Sequence, residues 1–439
     1  MAANTVHRTS LPVPGHSEVN IGSLLSLGKD FSKITTPVIF NEPLSFLQRI
    51  AEYMEYAKLL RLASLETCPI ARLQYISAFA VSGLASNWKR FGKPFNPLLG
   101  ETYELQRNDF RIICEQVSHH PPISAFHAEN EDYVFHGNIH PKLKFCGKTI
   151  EIHPKGMVTV ILLKWNETYT WQNVNCILHN FLVGQIWMEQ QGILEIKQHG
   201  GINLKAELCL KTAGWNNKDL HRVEGFIVDQ NGKQLSYLYG KWTEYLRAST
   251  ASLYEEMIER TKQKSKSSQN SLGHKKVLAK LNSLKVGTFK PLHQIAVDES
   301  DDYHCMKECT TDDLFESMIL WEVTPRPSNC AEYFQFTAFA MTLNEIEQGM
   351  KENLCPTDSR LRPDIRKLEN GDQDGAATRK VRLEEKQRDR CKIRNKKKVS
   401  SEWIPRWFEK RVNLYTGFNN WTYLGNYWDR NYDGIEDIF

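Results

Sequence analysis

Two histidines followed by two prolines, His119-His120-Pro121-Pro122, stand out as a group that could do chemistry. The prolines remove two backbone donors and bias the chain toward an extended path, so the imidazoles sit at a stiff strand end. Such a pair can bind an anion, bind a metal, act as acid and base, or serve structure alone. Neighbours along a strand point to opposite faces, which argues against both ligating one metal. No HExxH and no spaced third ligand follows. Upstream, GKPFNPLLGE (92–101) places Lys93 and Asn96 in a double-proline turn beside Leu98 and Leu99. It lacks the glycine spacing and closing GK[ST] of a phosphate-cradling loop. Far downstream, Lys380, Glu384 and Arg388 recur every four residues. On a helix they share a face, with Glu384 flanked by cations one turn away on either side. That pattern is either a solvated, salt-bridged surface or a carboxylate holding a lysine and an arginine ready for phosphate.

The elements that position these groups are partly legible. Two apolar stripes at helical spacing run over 43–62 (Leu47, Ile50, Met54, Ala57) and 69–88 (Leu73, Ile76, Ala80, Leu84, Trp88). From 133 to 242 short β-rich pieces recur at intervals of about eight to twelve residues, with Gly or Asn turns between them. They lie at 133–138, 142–145, 149–153, 157–165, 169–171, 176–181, 185–189, 193–197, 203–210, 222–228 and 235–242. Such spacing predicts a many-stranded antiparallel sheet or barrel. A barrel beyond about ten strands encloses more space than its side chains fill. Further β segments are expected at 318–325 and 333–343, a charged helix over 375–395, and an aromatic-rich tail from 403 that packs on the body.

Two segments break this pattern. Residues 1–20 read as a mobile tail, and 262–313 as a long insertion, Lys/Ser-rich and then acidic. Ile21, Leu24, Leu25, Leu27 and Phe31 form a short amphipathic stretch that is either a core helix or a movable flap.

Composition removes several classes. The chain has 439 residues and a net charge of +4, too mild for a general nucleic-acid binder. Charge is local: residues 376–398 hold eleven Lys/Arg against three acids, but no aromatics interleave for base stacking. No apolar run approaches the roughly 20 residues of a membrane span. Neither a signal peptide nor a lipidation motif is evident, and ten scattered cysteines point to reduced thiols, so the expected compartment is the cytosol. The His304/Cys305/Cys309 cluster lacks four spaced soft ligands for zinc. No nucleophile elbow, kinase set or dinucleotide fingerprint appears, so no enzyme and no cofactor is expected.

At EQVSHHPP (115–122) the chain resembles the oxysterol-binding-protein-related family, whose signature this is. The resemblance extends to KPFNPLLGETYE (93–104), GKWTE (240–244), TDSRLRPDIR (357–366), RLEEKQR (382–388) and YWDRNY (427–432). It implies an incomplete antiparallel β-barrel around a hydrophobic tunnel, with a lid over 21–36, helices over 43–90, the barrel over 91–345 and a C-terminal subdomain over 346–439. It implies a lipid carrier that takes a sterol, or in some branches phosphatidylserine, and exchanges it for a phosphoinositide between membranes. By the same resemblance Lys93, Asn96, His119, His120, Lys380, Glu384 and Arg388 hold the phosphoinositide headgroup, and Ile21, Leu24, Leu25, Leu27 and Phe31 line the lid. The implied partners are sterol, phosphoinositide and an anionic membrane visited transiently, without nucleic acid. No pleckstrin-homology domain, ankyrin repeats or FFAT-type motif precedes the lid, which leaves adaptor docking at the endoplasmic reticulum without a visible basis.

Overall fold

A computed structural model of the chain describes residues 7–15, 37–181, 184–214, 219–268, 317–396 and 403–439. The lid residues Ile21, Leu24, Leu25, Leu27 and Phe31 lie outside them. So do most of the 262–313 insertion and the His304/Cys305/Cys309 cluster.

The chain forms β1 (Asn41–Ser45), α1 (Phe46–Ala51), a 3-10 turn (Glu52–Tyr56), α2 (Lys58–Leu65) and α3 (Pro69–Ala85), then β2 (Lys93–Phe95). The sheet strands follow: β3 (Thr102–Arg107), β4 (Phe110–His119), β5 (Pro122–Glu129), β6 (Tyr133–Cys146), β7 (Thr149–Lys155), β8 (Val158–Leu162) and β9 (Glu167–Trp171). They continue with β10 (Asn175–His179), β11 (Trp187–His199), β12 (Lys205–Leu210), β13 (Arg222–Val228), β14 (Gln234–Lys241), β15 (Tyr245–Thr250) and β16 (Met318–Glu322). Helix α4 (Ala251–Ser268) belongs to a second compact unit spanning Ser249–Met318. The body closes with α5 (Ala338–Thr342), α6 (Pro363–Glu369), α7 (Gln373–Lys396), β17 (Phe408–Val412) and β18 (Asn419–Tyr423).

Among the described residues β3 to β16 make one 14-stranded sheet, and its pairing runs from β16 to β3 without closing on itself. The large antiparallel sheet with an open seam matches the expected mainly β, incomplete-barrel architecture. Its inner side is apolar: Leu194, Ile196, Leu208, Leu210, Val223 and Leu238 join one buried cluster with Leu73, Ile76 and Phe79 of α3. The other side carries ion pairs, such as Lys205–Glu207 at 2.6 Å along β12 and Lys211–Glu224 at 2.6 Å across to β13. This one-sided alternation is what an antiparallel sheet with one wet face requires. No helix among the described residues is long and apolar enough to cross a membrane.

Several sequence expectations are corrected. The helix expected over 43–62 is three short pieces. It starts only at Phe46, because Ser45 and Gln48 form a reciprocal capping box and Asn41–Ser45 pairs in parallel with Lys93–Phe95. The pieces at 133–138 and 142–145 are one strand. Pro141 lies opposite Pro154, where β6 leaves β5 and β8 to pair with β7, so the missing donors do not break the strand. The pieces at 185–189 and 193–197 likewise fuse into β11. The β segment expected over 333–343 is a turn and a helix: Phe334 and Gln335 hold φ of 54° and 59°, and Thr337 caps α5 through the Ala340 N–H. Strands β3, β5 and β15 had no counterpart in the sequence reading, and of β4 only its end at the histidines was expected. Residues 7–15, expected within a mobile tail, are docked: Arg8 donates to the Met341 carbonyl at 2.6 Å and to Glu369 at 2.6 Å, and Leu11 is buried.

Candidate anion-binding site

The site is assembled from three pieces of chain. The first is the β1–β2 pair. Asn41 is buried, its Nδ2 donates to the Lys93 carbonyl at 2.9 Å, and its Oδ1 accepts from Lys380 Nζ at 3.1 Å. One asparagine therefore pins the Lys93 strand to helix α7. The Lys380 ammonium also lies 5.7 Å from the centre of the Phe95 ring, within cation–π range. Lost hydration pushes its pKa down to about 8; Glu384 pulls it up, and the Lys93 charge pushes it down again. Lys93 has an exposed side chain, yet the crowding protein still lowers its pKa, and Glu384 opposes that fall. Two ammonium groups thus share one carboxylate. A positive excess in a partly desolvated place favours an incoming anion.

The second piece is the loop after β2. The Asn96 carbonyl accepts from Arg362 Nη1 at 3.0 Å, and the same guanidinium meets Glu101 at 2.7 Å and Asp364 at 2.7 Å. Glu101 in turn accepts from the Leu98 N–H at 2.9 Å and the Ser359 hydroxyl at 2.6 Å. These groups are buried and hold the backbone of 96–101 in one shape. The Asn96 side chain itself is exposed.

The third piece is the β4–β5 turn. The ladder ends at the His119–Pro122 pair, so His120 lies beyond the alternating strand. The two imidazoles are therefore neighbours, with ring centres 4.4 Å apart, and not on opposite faces as strand alternation suggests. Burial, with the His120 ring adding to it, pushes the His119 pKa down to about 4. His119 is then a neutral donor and acceptor near pH 7 and not a resident cation. Gln387 of α7 lies 2.8 Å from His119 Nε2 and accepts the Leu99 N–H at 2.8 Å through its own Oε1. A single amide so ties the helix, the loop and the histidine turn together.

The structure thus brings Lys93, Lys380 and Glu384 into one electrostatic group, and joins His119 and His120 to the same helix through Gln387. Arg388 is exposed on α7 one turn beyond Glu384, and no hydrogen bond or ion pair holds its side chain among the described residues. Sequence reasoning missed Asn41, Phe95, Glu101, Arg362 and Gln387. Gln387 had a usable signal, seven residues beyond Lys380 and so on the same helical face. Asn41 had none. A cleft of about 350 Å³ elsewhere, lined by Lys197, His199, Asn203, Lys205 and Asp229 among others, includes none of these groups.

Residues 20–432 match the family model described as oxysterol-binding protein. Human oxysterol-binding protein-related protein 1 is 48% identical over 99% of this chain, which spans 44% of that protein's length. Mouse oxysterol-binding protein-related protein 2 is 48% identical over 99% of this chain and 88% of its own. Among solved structures, the Osh1 ORD domain in complex with cholesterol has a TM-score of 0.78 and 30% identity, covering 99% of this chain and 95% of that one. The Osh3 ORD of Saccharomyces cerevisiae in complex with PI(4)P has a TM-score of 0.73 and 31% identity, covering 99% of each chain.

Proposed function

The chain belongs to the oxysterol-binding protein family, and from that premise we propose that it is a lipid carrier, taking a sterol or a phosphoinositide one at a time and exchanging them between membranes. The observation that carries this reading is the meeting of Lys93 and Lys380 over a single carboxylate, one helix away from the paired imidazoles. Phosphate oxygens accept strongly from ammonium donors, and two lysines in partly dehydrated surroundings gain most from such a partner. Glu384 keeps the two ammonium groups close when no lipid is present. His119 and His120 supply donors at fixed positions, and Asn96 and Arg388 add an amide and a guanidinium from the loop and the helix. The solved relatives bound to cholesterol and to PI(4)P support both ligand classes on one fold.

Sterol and acyl chains have the same requirement, an apolar surround, and the inner side of the sheet carries a large apolar cluster. One carrier can house both in turn because only the phosphoinositide needs the cations. No bond is made or broken; differential affinity and a gradient suffice. In this reading the protein works in the cytoplasm, meets anionic membranes transiently, and closes over its cargo with residues 21–36.

Native mass spectrometry with cholesterol and phosphatidylinositol 4-phosphate tests mutual exclusion. The expected spectrum has protein with one sterol and protein with one phosphoinositide. A species carrying both would overturn the shared-interior reading.

A further inference from the structure

Helix α7 has a second face. Leu383, Lys386, Gln387 and Arg390 recur at three- and four-residue spacing and so line one stripe of the helix. Gln387 belongs to the anion site; the rest of the stripe is covered by the chain's own residues 436–439. Ile438 is buried in a small cluster with Leu98 and Leu383, and Phe439 packs against it. On either side of that apolar contact, the acidic groups meet cations. Lys386 Nζ lies 3.1 Å from Asp437 Oδ2 and donates to the Phe439 carbonyl. Arg390 donates to the Asp437 carbonyl and lies 3.9 Å from Glu436 Oε2.

This arrangement has an acidic segment seated on a basic helix immediately beside the loop that holds the anion site, since Leu98 shares one buried cluster with Leu383 and Ile438 and the next residue, Leu99, bonds Gln387. The carboxylates are open to water: Asp437 is 82% exposed and Glu436 64%. Exposed ion pairs of this kind hold weakly and are screened by salt. They are strong enough to occupy the cations in solution and weak enough to yield to a surface of many negative charges. On the same side of α7 lie the exposed cations Arg379 and Arg382, with Ile393 exposed beyond Arg390. A row of cations with an apolar side chain at its end fits the headgroup layer of an anionic bilayer.

We propose that α7 is a docking face for anionic membrane and that Glu436 and Asp437 act as an internal stand-in for lipid headgroups, occupying Lys386 and Arg390 until a charged bilayer displaces them. Docking would then free these cations beside the anion site at the moment a membrane is present. The inference rests on the lipid-carrier reading only in that a carrier must meet a bilayer. It is tested without phosphoinositide.

The test is sedimentation of Glu436→Gln/Asp437→Asn with vesicles of phosphatidylcholine and phosphatidylserine that contain neither sterol nor phosphoinositide. Ile438 and Phe439 stay in place, so the apolar anchor is retained. Each released cation is expected to raise vesicle affinity roughly fivefold, following the attraction of a basic residue to an anionic surface, and the gain should vanish in neutral phosphatidylcholine vesicles. Lys386→Gln/Arg390→Gln should lower the affinity of the intact chain. Equal vesicle affinity of the Glu436→Gln/Asp437→Asn protein and the unaltered chain would overturn the proposal, as would a gain confined to duplex DNA. Cholesterol binding measured on the same proteins separates the two readings: unchanged cholesterol binding with unchanged vesicle affinity removes the latch and leaves the carrier.

Discussion

Replacing both His119 and His120 with alanine is expected to lower extraction of phosphatidylinositol 4-phosphate from vesicles by at least about a hundredfold, while cholesterol uptake changes by less than about twofold. Hydrogen bonds to a charged partner are worth about 1.5–3 kcal/mol each, and two lost donors account for that factor. The asymmetry follows from where each lipid's polarity lies. A phosphorylated headgroup must replace its water with fixed donors, whereas a sterol needs apolar surroundings and brings no charge. His120 is exposed and His119 sits at the end of β4, so the substitution removes no core side chain. Gln387 loses one partner but keeps the Leu99 N–H at 2.8 Å. Equal loss of both lipids in a protein with an unchanged melting transition would contradict a site divided between headgroup and apolar interior.

The second large effect is on stability. Arg362→Leu is expected to destabilise the protein by about 3–5 kcal/mol, the cost of leaving buried carboxylates without their cation. Glu101 and Asp364 are fully buried, and each is 2.7 Å from the Arg362 guanidinium. Burial already raises the Glu101 pKa above the usual range, with Arg362 opposing the rise. Without Arg362 that carboxyl has to protonate or take in water. The Asn96 carbonyl loses its donor at the same time, so the loop beside Lys93 loosens. Chemical denaturation should show a lower midpoint, and Glu101→Gln in the Arg362→Leu background should recover part of the loss by removing one orphaned charge. An unchanged midpoint would mean that these contacts do not hold the loop.

The histidine turn was legible in the sequence, and the scaffold that holds it was not. His119, His120, Lys93 and Lys380 announce themselves by type and by motif. Their supports do not. Asn41 becomes informative only when β1 lies beside β2 and its two amide atoms meet Lys93 and Lys380. Arg362 looks like a surface arginine until the fold buries it between two acids. Apart from the strand end at the histidines, the strands around them were illegible for a related reason. In β3 and β4, Glu104, Glu115 and Gln116 are buried polar residues, which breaks the apolar-polar alternation that marks a half-exposed strand. Glu115 accepts the N–H groups of Arg406 and Trp407, each at 3.0 Å, and Glu104 accepts the Tyr427 hydroxyl. Ile113, Val117 and Ala125 meanwhile pack on Trp407, Phe408 and Tyr427. The C-terminal segment covers what would otherwise be the wet face, so neither face of these strands reads as exterior. From 133 onward the strands alternate more openly and their turns carry Gly or Asn, which is why their spacing could be read directly.

Counter-transport bears most directly on whether one interior serves two lipids. Donor vesicles carrying a fluorescent sterol are mixed with acceptor vesicles carrying phosphatidylinositol 4-phosphate, and both movements are followed in time. The account expects sterol to travel faster when the phosphoinositide is present, with a matching amount of phosphoinositide returning. Sterol movement indifferent to the phosphoinositide, or phosphoinositide that never leaves its vesicles, would contradict it.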